Sequence, residues 1–189
     1  RQPRLLPRSR RSQVMVSRKR RPHPKPEPGP AERWSPDGVL ADGEYLGEMQ
    51  YSNYEIRWAS DEQHVYIGIK AKTDGWVALG IQPGSRMKDA DMIFGFVSGG
   101  ETTVIDLFST GDFGPHPPDT ELGGSDDILE FGGSQADDFT TIEFKRLLDT
   151  GDEYDLPLSP GTHQIIWAYG RNDNPGMRHT LRGFGEIQL

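Results

Sequence analysis

From about Glu44 onward the chain alternates apolar and polar residues in short runs, with Gly-, Asp- and Pro-rich turns between them. Tyr54-Glu55-Ile56-Arg57-Trp58 alternates, and Val65 to Ala71 puts Val65, Ile67, Ile69 and Ala71 on one face of an extended segment. Asp74-Gly75 predicts a hairpin-type turn, and Trp76 to Ile81 reads as a buried strand. Met92 to Val97 and Thr103 to Phe108 flank Gly99-Gly100 and predict a hairpin. Phe139 to Phe144, Gln164 to Tyr169 and Gly185 to Leu189 complete the set. No helical period extends beyond Lys145-Arg146-Leu147-Leu148. The pattern therefore predicts an all-β chain, with two packed antiparallel sheets forming a β-sandwich. Ser109 to Asp138 is Gly/Pro-rich and acidic, and is expected to be a long functional or mobile loop.

Composition changes this picture at the N-terminus. Hydrophobic residues make up 33% of the 189 residues, and the shortfall is uneven. Arg1 to Arg33 holds 11 Lys+Arg against 2 Asp+Glu, whereas the remainder holds 10 against 27. Arg-rich clusters lead into the proline run Pro22 to Pro30, so residues 1–35 are expected to form a disordered basic arm and residues 36–189 the domain. Such an arm is a solvated tether or an electrostatic anchor to an anionic surface such as a membrane. The acidic body disfavours nucleic acid as a partner. The chain begins at Arg1 rather than Met, and Leu5-Leu6 and Val14-Met15-Val16 are too short for the apolar core of a signal peptide. No run of 18 apolar residues is present.

The absence of cysteine excludes thiolate metal sites, disulfides and covalent c-type haem attachment. No nucleophile elbow, P-loop, dinucleotide fingerprint or zincin motif is present, so a free-standing enzyme is not the expected reading. Asp112, Asp119, Glu121, Asp126, Asp127, Glu130, Asp137 and Asp138 make the 109–138 segment oxygen-rich. Ca²⁺ binding and simple solvation both remain open there.

One constellation is more specific. Gly75-Trp76-Val77-Ala78-Leu79-Gly80-Ile81 is followed by Met87-Lys88-Asp89-Ala90-Asp91 and an apolar strand, and His179 precedes Gly183 near the C-terminus. This order and spacing resembles the DOMON domain family from about Glu44 to Leu189. The resemblance implies an immunoglobulin-like two-sheet sandwich. In members such as the cytochrome domain of cellobiose dehydrogenase it also implies a haem b with Met and His axial ligands, here Met87 and His179. Other members lack these ligands and are thought to bind carbohydrate, so a ligand-binding module without haem stays as the alternative. With haem, Trp76 and Phe94 are candidate pocket walls, and Arg178 and Arg182 candidate propionate partners. Both ligands are expected at rim positions, with a planar cofactor slotted into the end of the sandwich. Met92 is expected in the core. The resemblance further implies one-electron transfer with a redox partner, a dehydrogenase or a membrane cytochrome, in an extracellular, periplasmic or membrane-associated location.

Overall fold

The computed structural model describes residues 29–189; most of the basic arm lies outside the described residues. The strands are β1 (Gly47–Tyr51), β2 (Tyr54–Ser60), β3 (His64–Ala71), β4 (Val77–Ile81), β5 (Asp91–Ser98), β6 (Glu101–Phe108), β7 (Glu130–Ala136), β8 (Phe139–Leu147), β9 (Thr162–Tyr169) and β10 (Leu181–Gln188). Two helical turns, α1 (Pro30–Arg33) and α2 (Asp119–Leu122), are the only helices among the described residues. The strands form two five-stranded sheets, ordered β1-β2-β3-β8-β7 and β10-β9-β4-β5-β6, with every pairing antiparallel. The expected β-sandwich is thus the observed architecture.

The alternation explains the layering. Ile56, Ile67, Ile69, Ile142 and Phe144 face inward from the first sheet and meet Leu79, Ile81, Ile93 and Ile165 from the second. All are essentially fully buried. Burying a branched aliphatic side chain contributes about 1.5–3 kcal/mol, so this layer is the main stabilising element. Trp58 on β2 ties the first sheet to edge strand β10 of the second, its Nε1 donating to the Gln188 carbonyl at 2.8 Å.

Two expectations change. Asp74-Gly75 does not close a hairpin, because β3 and β4 lie in different sheets and the corner carries the chain between them. Thr140 Oγ1 donates to the Thr73 carbonyl at 2.9 Å and holds that corner in place. The long loop from Ser109 to Asp138 is also shorter than expected, since it contains α2 and the whole of β7. β7 is an edge strand with Gly132-Gly133 at its centre, so it lacks the alternation that marks its neighbours.

Residues 29–46 cross the outer face of the first sheet. Trp34 packs against Tyr66 with ring centroids 5.2 Å apart. Glu143 projects outward from β8 and accepts hydrogen bonds from Gly38 N at 2.7 Å and Tyr45 Oη at 2.6 Å. Its cross-strand neighbours are Gly68 and Gly132, which leave room for the strap. Burial pushes the Glu143 carboxyl up to about 7, against the pull of those two donors.

A carboxyl whose folded pKa is raised binds more protons when folded. Glu143 therefore contributes stability that is complete below the unfolded value of about 4.5 and is lost as pH rises through about 7. Glu143→Gln cannot ionise. Urea unfolding at pH 5 and pH 8 should show the variant gaining on the wild type by on the order of 1 kcal/mol at the higher pH. An equal difference at both pH values would contradict the assignment.

Candidate functional site

The second sheet is apolar on both faces. Its outer face carries a separate cluster of Trp76, Ala78, Ala90, Met92, Phe94 and Leu107, with Met87, Phe96, Ile105, Ile166 and Ala168 partly buried against it. Met92 is buried in the core as expected, in this outer cluster. An antiparallel sheet with one solvated face would alternate cleanly between apolar and polar, so this second apolar face needs a reason.

Strand register shows its shape. Arg182, Ala168, Ala78, Phe94 and Ile105 lie side by side across the five strands, and Phe184, Ile166, Gly80, Met92 and Leu107 form the next row. Small residues occupy the middle of both rows, so the face has a low floor between larger side chains. At Gly80 a Cβ would press against Ile166 and Met92. Phe184, on β10, is 82% exposed and stands at one side of this floor. Phe94 and Trp76 lie at the other, with ring centroids 4.8 Å apart. The indole Nε1 of Trp76 is buried without a hydrogen-bond partner.

Met87 belongs to the loop after β4. Lys88 N donates to the Ser85 carbonyl at 2.9 Å and Ala90 N to the Met87 carbonyl at 3.2 Å, forming successive turns. Arg86 and Asp89 adopt positive φ values of 56° and 61°, uncommon for residues with a Cβ. Asp89 N and Ser109 N tie the loop to the end of β6 through bonds of 2.8 and 3.0 Å. The result is a fastened loop that brings Met87 onto the apolar outer face.

His179 lies in the segment before β10. Thr180 N donates to the Tyr169 carbonyl at 2.7 Å, and Trp76 N to the Asn172 carbonyl at 3.0 Å. The G-W pair of the motif has a mechanical role here. A Cβ on Gly75 would collide with the backbone of Arg171 and Asn172, and one on Gly170 with the Trp76 indole. Trp76 thus anchors the root of the segment that carries His179. The imidazole is half-buried; desolvation, then Arg182 and Arg178, holds its pKa below the usual value. Arg178 and Arg182 are exposed beside it, and Arg182 lies in the outer-face row.

Met87 follows Ile81, whereas His179 precedes Leu181. These strand ends lie at opposite ends of the second sheet, since Leu181 pairs with Tyr169 and Ile81 with Ile165. The five residues of β4 span about 13 Å at ~3.3 Å per residue. A slot at one end of the sandwich therefore does not bring the two together. Met87 packs against the outer face at one end, and the segment carrying His179 enters β10 at the other.

His116 went unnoticed in the sequence. It comes from the proline-rich loop after β6 and packs against Phe94 at 6.3 Å, with its Nδ1 buried and unpartnered. Burial lowers its pKa. Its turn-like context, Gly114-Pro115-His116-Pro117-Pro118, gives no pattern by which it could have been placed. Trp58, Trp76 and Trp167 are all buried, so none presents a free stacking surface for a sugar.

A second polar group lies between the sheets, where β5 begins. Arg146 is fully buried, with Nη2 2.7 Å from Asp91 Oδ2 and Nη1 2.7 Å from Asp155 Oδ1. Asp106 on β6 and Asp119 at the start of α2 are buried nearby. Burial, and then the charge of Asp155, pushes Asp106 up to about 8 and Asp119 up to about 7. Asp119, expected in an exposed acidic loop, is 1% exposed.

Comparison with known proteins places this geometry. Residues 50–170 match the DOMON domain model, and the chain belongs to the DOMON family. It is 30% identical to MOXD1 homolog 1 of Drosophila melanogaster over 144 residues, 72% of this chain and 20% of that protein. It is 28% identical to mouse (Mus musculus) DBH-like monooxygenase protein 1, over 78% of this chain and 22% of that protein. The chain thus spans about a fifth of the length of these relatives. The cytochrome b domain of pyranose dehydrogenase from Coprinopsis cinerea shares the fold, with a TM-score of 0.52 and 14% identity, over 71% of this chain and 75% of that one.

Gly170→Ala should unseat Trp76 and cost about 1–3 kcal/mol, as overpacking of a tight contact does. Urea unfolding followed by tryptophan fluorescence measures this. A stability within ~0.5 kcal/mol of wild type would show that the indole seat is not needed.

Proposed function

We propose that this DOMON domain holds one haem b on the outer face of its second sheet and passes single electrons, with Met87 and His179 as axial ligands. The supporting observation is an apolar, partly exposed sheet face with a thioether delivered to one end and an imidazole segment to the other. The residues present fit the group. The floor is small and apolar, the donor set suits a six-coordinate iron, and two ring N–H or N positions, on Trp76 and His116, lie buried under this face without partners.

When bound, haem b supplies reversible one-electron exchange at its iron. The chain's own groups do the rest. Met87 offers a soft sulfur from a fastened loop. The depressed pKa of His179 keeps its imidazole neutral at physiological pH, the form in which a ring nitrogen can ligate. Arg178 and Arg182 would pair with propionates by charge-assisted hydrogen bonds. Trp76 and Phe94 would exclude water from one side. With Met87 and His179 both holding it, the group would supply electron transfer rather than substrate chemistry.

The partner in this reading is another redox module: a dehydrogenase, a membrane cytochrome, or a monooxygenase portion of a longer chain. The acidic body would steer docking toward a basic surface. An extracellular or periplasmic site of action fits the same reading, with the basic arm as an electrostatic tether to a membrane surface.

Adding haem to the purified chain and recording its absorption tests this. A Soret shift and a sharp α-band on reduction are expected. Met87→Ala and His179→Ala should each abolish the sharp band, whereas His116→Ala should keep it. No Soret shift, or a band that survives both ligand substitutions, contradicts the proposal.

A further inference from the structure

The interior carboxylates at the start of β5 serve no purpose in haem binding. We propose that Asp91, Asp106 and Asp155, completed by Asp119, form a divalent-cation site of oxygen ligands suited to Ca²⁺. One carboxylate oxygen from each of Asp91, Asp106 and Asp155 lies within 4.8 Å of the others. All three side chains face the space between the sheets or its rim and are at most 5% exposed.

The hydrogen bonding divides these carboxylates in a particular way. Asp91 Oδ2 accepts from Arg146 Nη2 at 2.7 Å and from Leu156 N at 3.2 Å, while its Oδ1 is buried without a partner. Asp106 Oδ2 accepts from Asp127 N at 3.0 Å, while its Oδ1 is also buried and unpartnered. Each carboxylate is thus oriented through one oxygen and leaves the other free. Asp119 comes from a different element, α2, and its buried Oδ1 is unpartnered as well. A carboxylate oxygen only accepts, so buried oxygens left without a donor call for a cation or for protons.

The charges do not balance without one. Four buried carboxylates face the single buried guanidinium of Arg146. The other charged groups acting on them, Asp127 and Asp152, are acidic too. Arg146 is already engaged with Asp91 and Asp155. A divalent cation held by Asp91, Asp106 and Asp155 would satisfy the clustered oxygens and offset most of the excess. The ligand chemistry is that of a hard ion: all oxygen, with no cysteine in the chain and room for water ligands at the exposed Ser125 to Asp127 turn. Asp91 is the first residue of β5 and Asp106 lies beside Ile93, so the bound ion would brace the root of the Met87 loop.

The test uses the full 189-residue chain, treated with EDTA and desalted, with CaCl₂ as the probe. Thermal unfolding should shift upward by roughly 5–10 °C at free calcium ~100-fold above its Kd. Equilibrium dialysis should give one calcium per chain. Asp106→Asn should fold, as judged by circular dichroism, and lose the shift. Asp138→Asn, in the exposed β7–β8 turn, should keep it. If Asp106→Asn fails to fold, Asp119→Asn carries the same expectation. No calcium-dependent shift in the wild type, or a shift that survives these interior substitutions, overturns the site. Because no haem is present in this experiment, its outcome is independent of the haem proposal.

Discussion

Strands β4 and β5 are buried on both faces, and this double burial sets the terms for the rest of the molecule. Leu79, Ile81 and Ile93 point into the sandwich, while Ala78, Met92 and Phe94 point out of it into a second apolar cluster. The inner layer stabilises the fold. The outer layer would carry a hydration penalty unless something shields it, at roughly 25 cal/mol per Å² of apolar surface. The protein shields only part of it, with the Met87 loop at one end and the His116 loop at a side. The open remainder is where the proposed haem would sit.

The same arrangement gives a reason why the two proposed ligands, Met87 and His179, come from loops. Neither strand face can supply a ligand from its middle without giving up packing. Loops anchored at the strand ends can, provided the backbone holds them still. For Met87 the anchor is the pair of backbone hydrogen bonds to Ser109. For His179 it is the seat of Trp76 against Gly170 and Gly75 against Asn172. The motif residues thus act by close approach of backbone and indole, beneath the side chains that would touch a cofactor.

Much of the fold was legible because most strands have one core-facing side. Val65, Ile67, Ile69 and Ala71 announce β3 by period alone. β7 was not legible, since Gly132-Gly133 meets the Pro36 strap and no apolar layer marks it. The corner at Asp74-Gly75 has the composition of a hairpin turn, and only pairing partners show that it links two sheets. The candidate ligands were readable as a family pattern, but their placement at opposite ends of one sheet was not, because it depends on strand order. The buried acids were the least visible. Asp91, Asp106 and Asp155 are far apart in sequence, and a polar residue in an alternating strand reads as solvent-facing.

In the proposed site, Met87 would reach over the outer face to a haem held also by His179. Proton NMR of the reduced, haem-loaded chain tests it directly, because a methionine methyl bound to haem iron sits in the ring current and resonates far upfield of the others. One such methyl is expected in the wild type, absent from Met87→Ala and retained in Met92→Ala and Met177→Ala. An upfield methyl that persists in Met87→Ala, or none in the wild type, would overturn the proposed ligation.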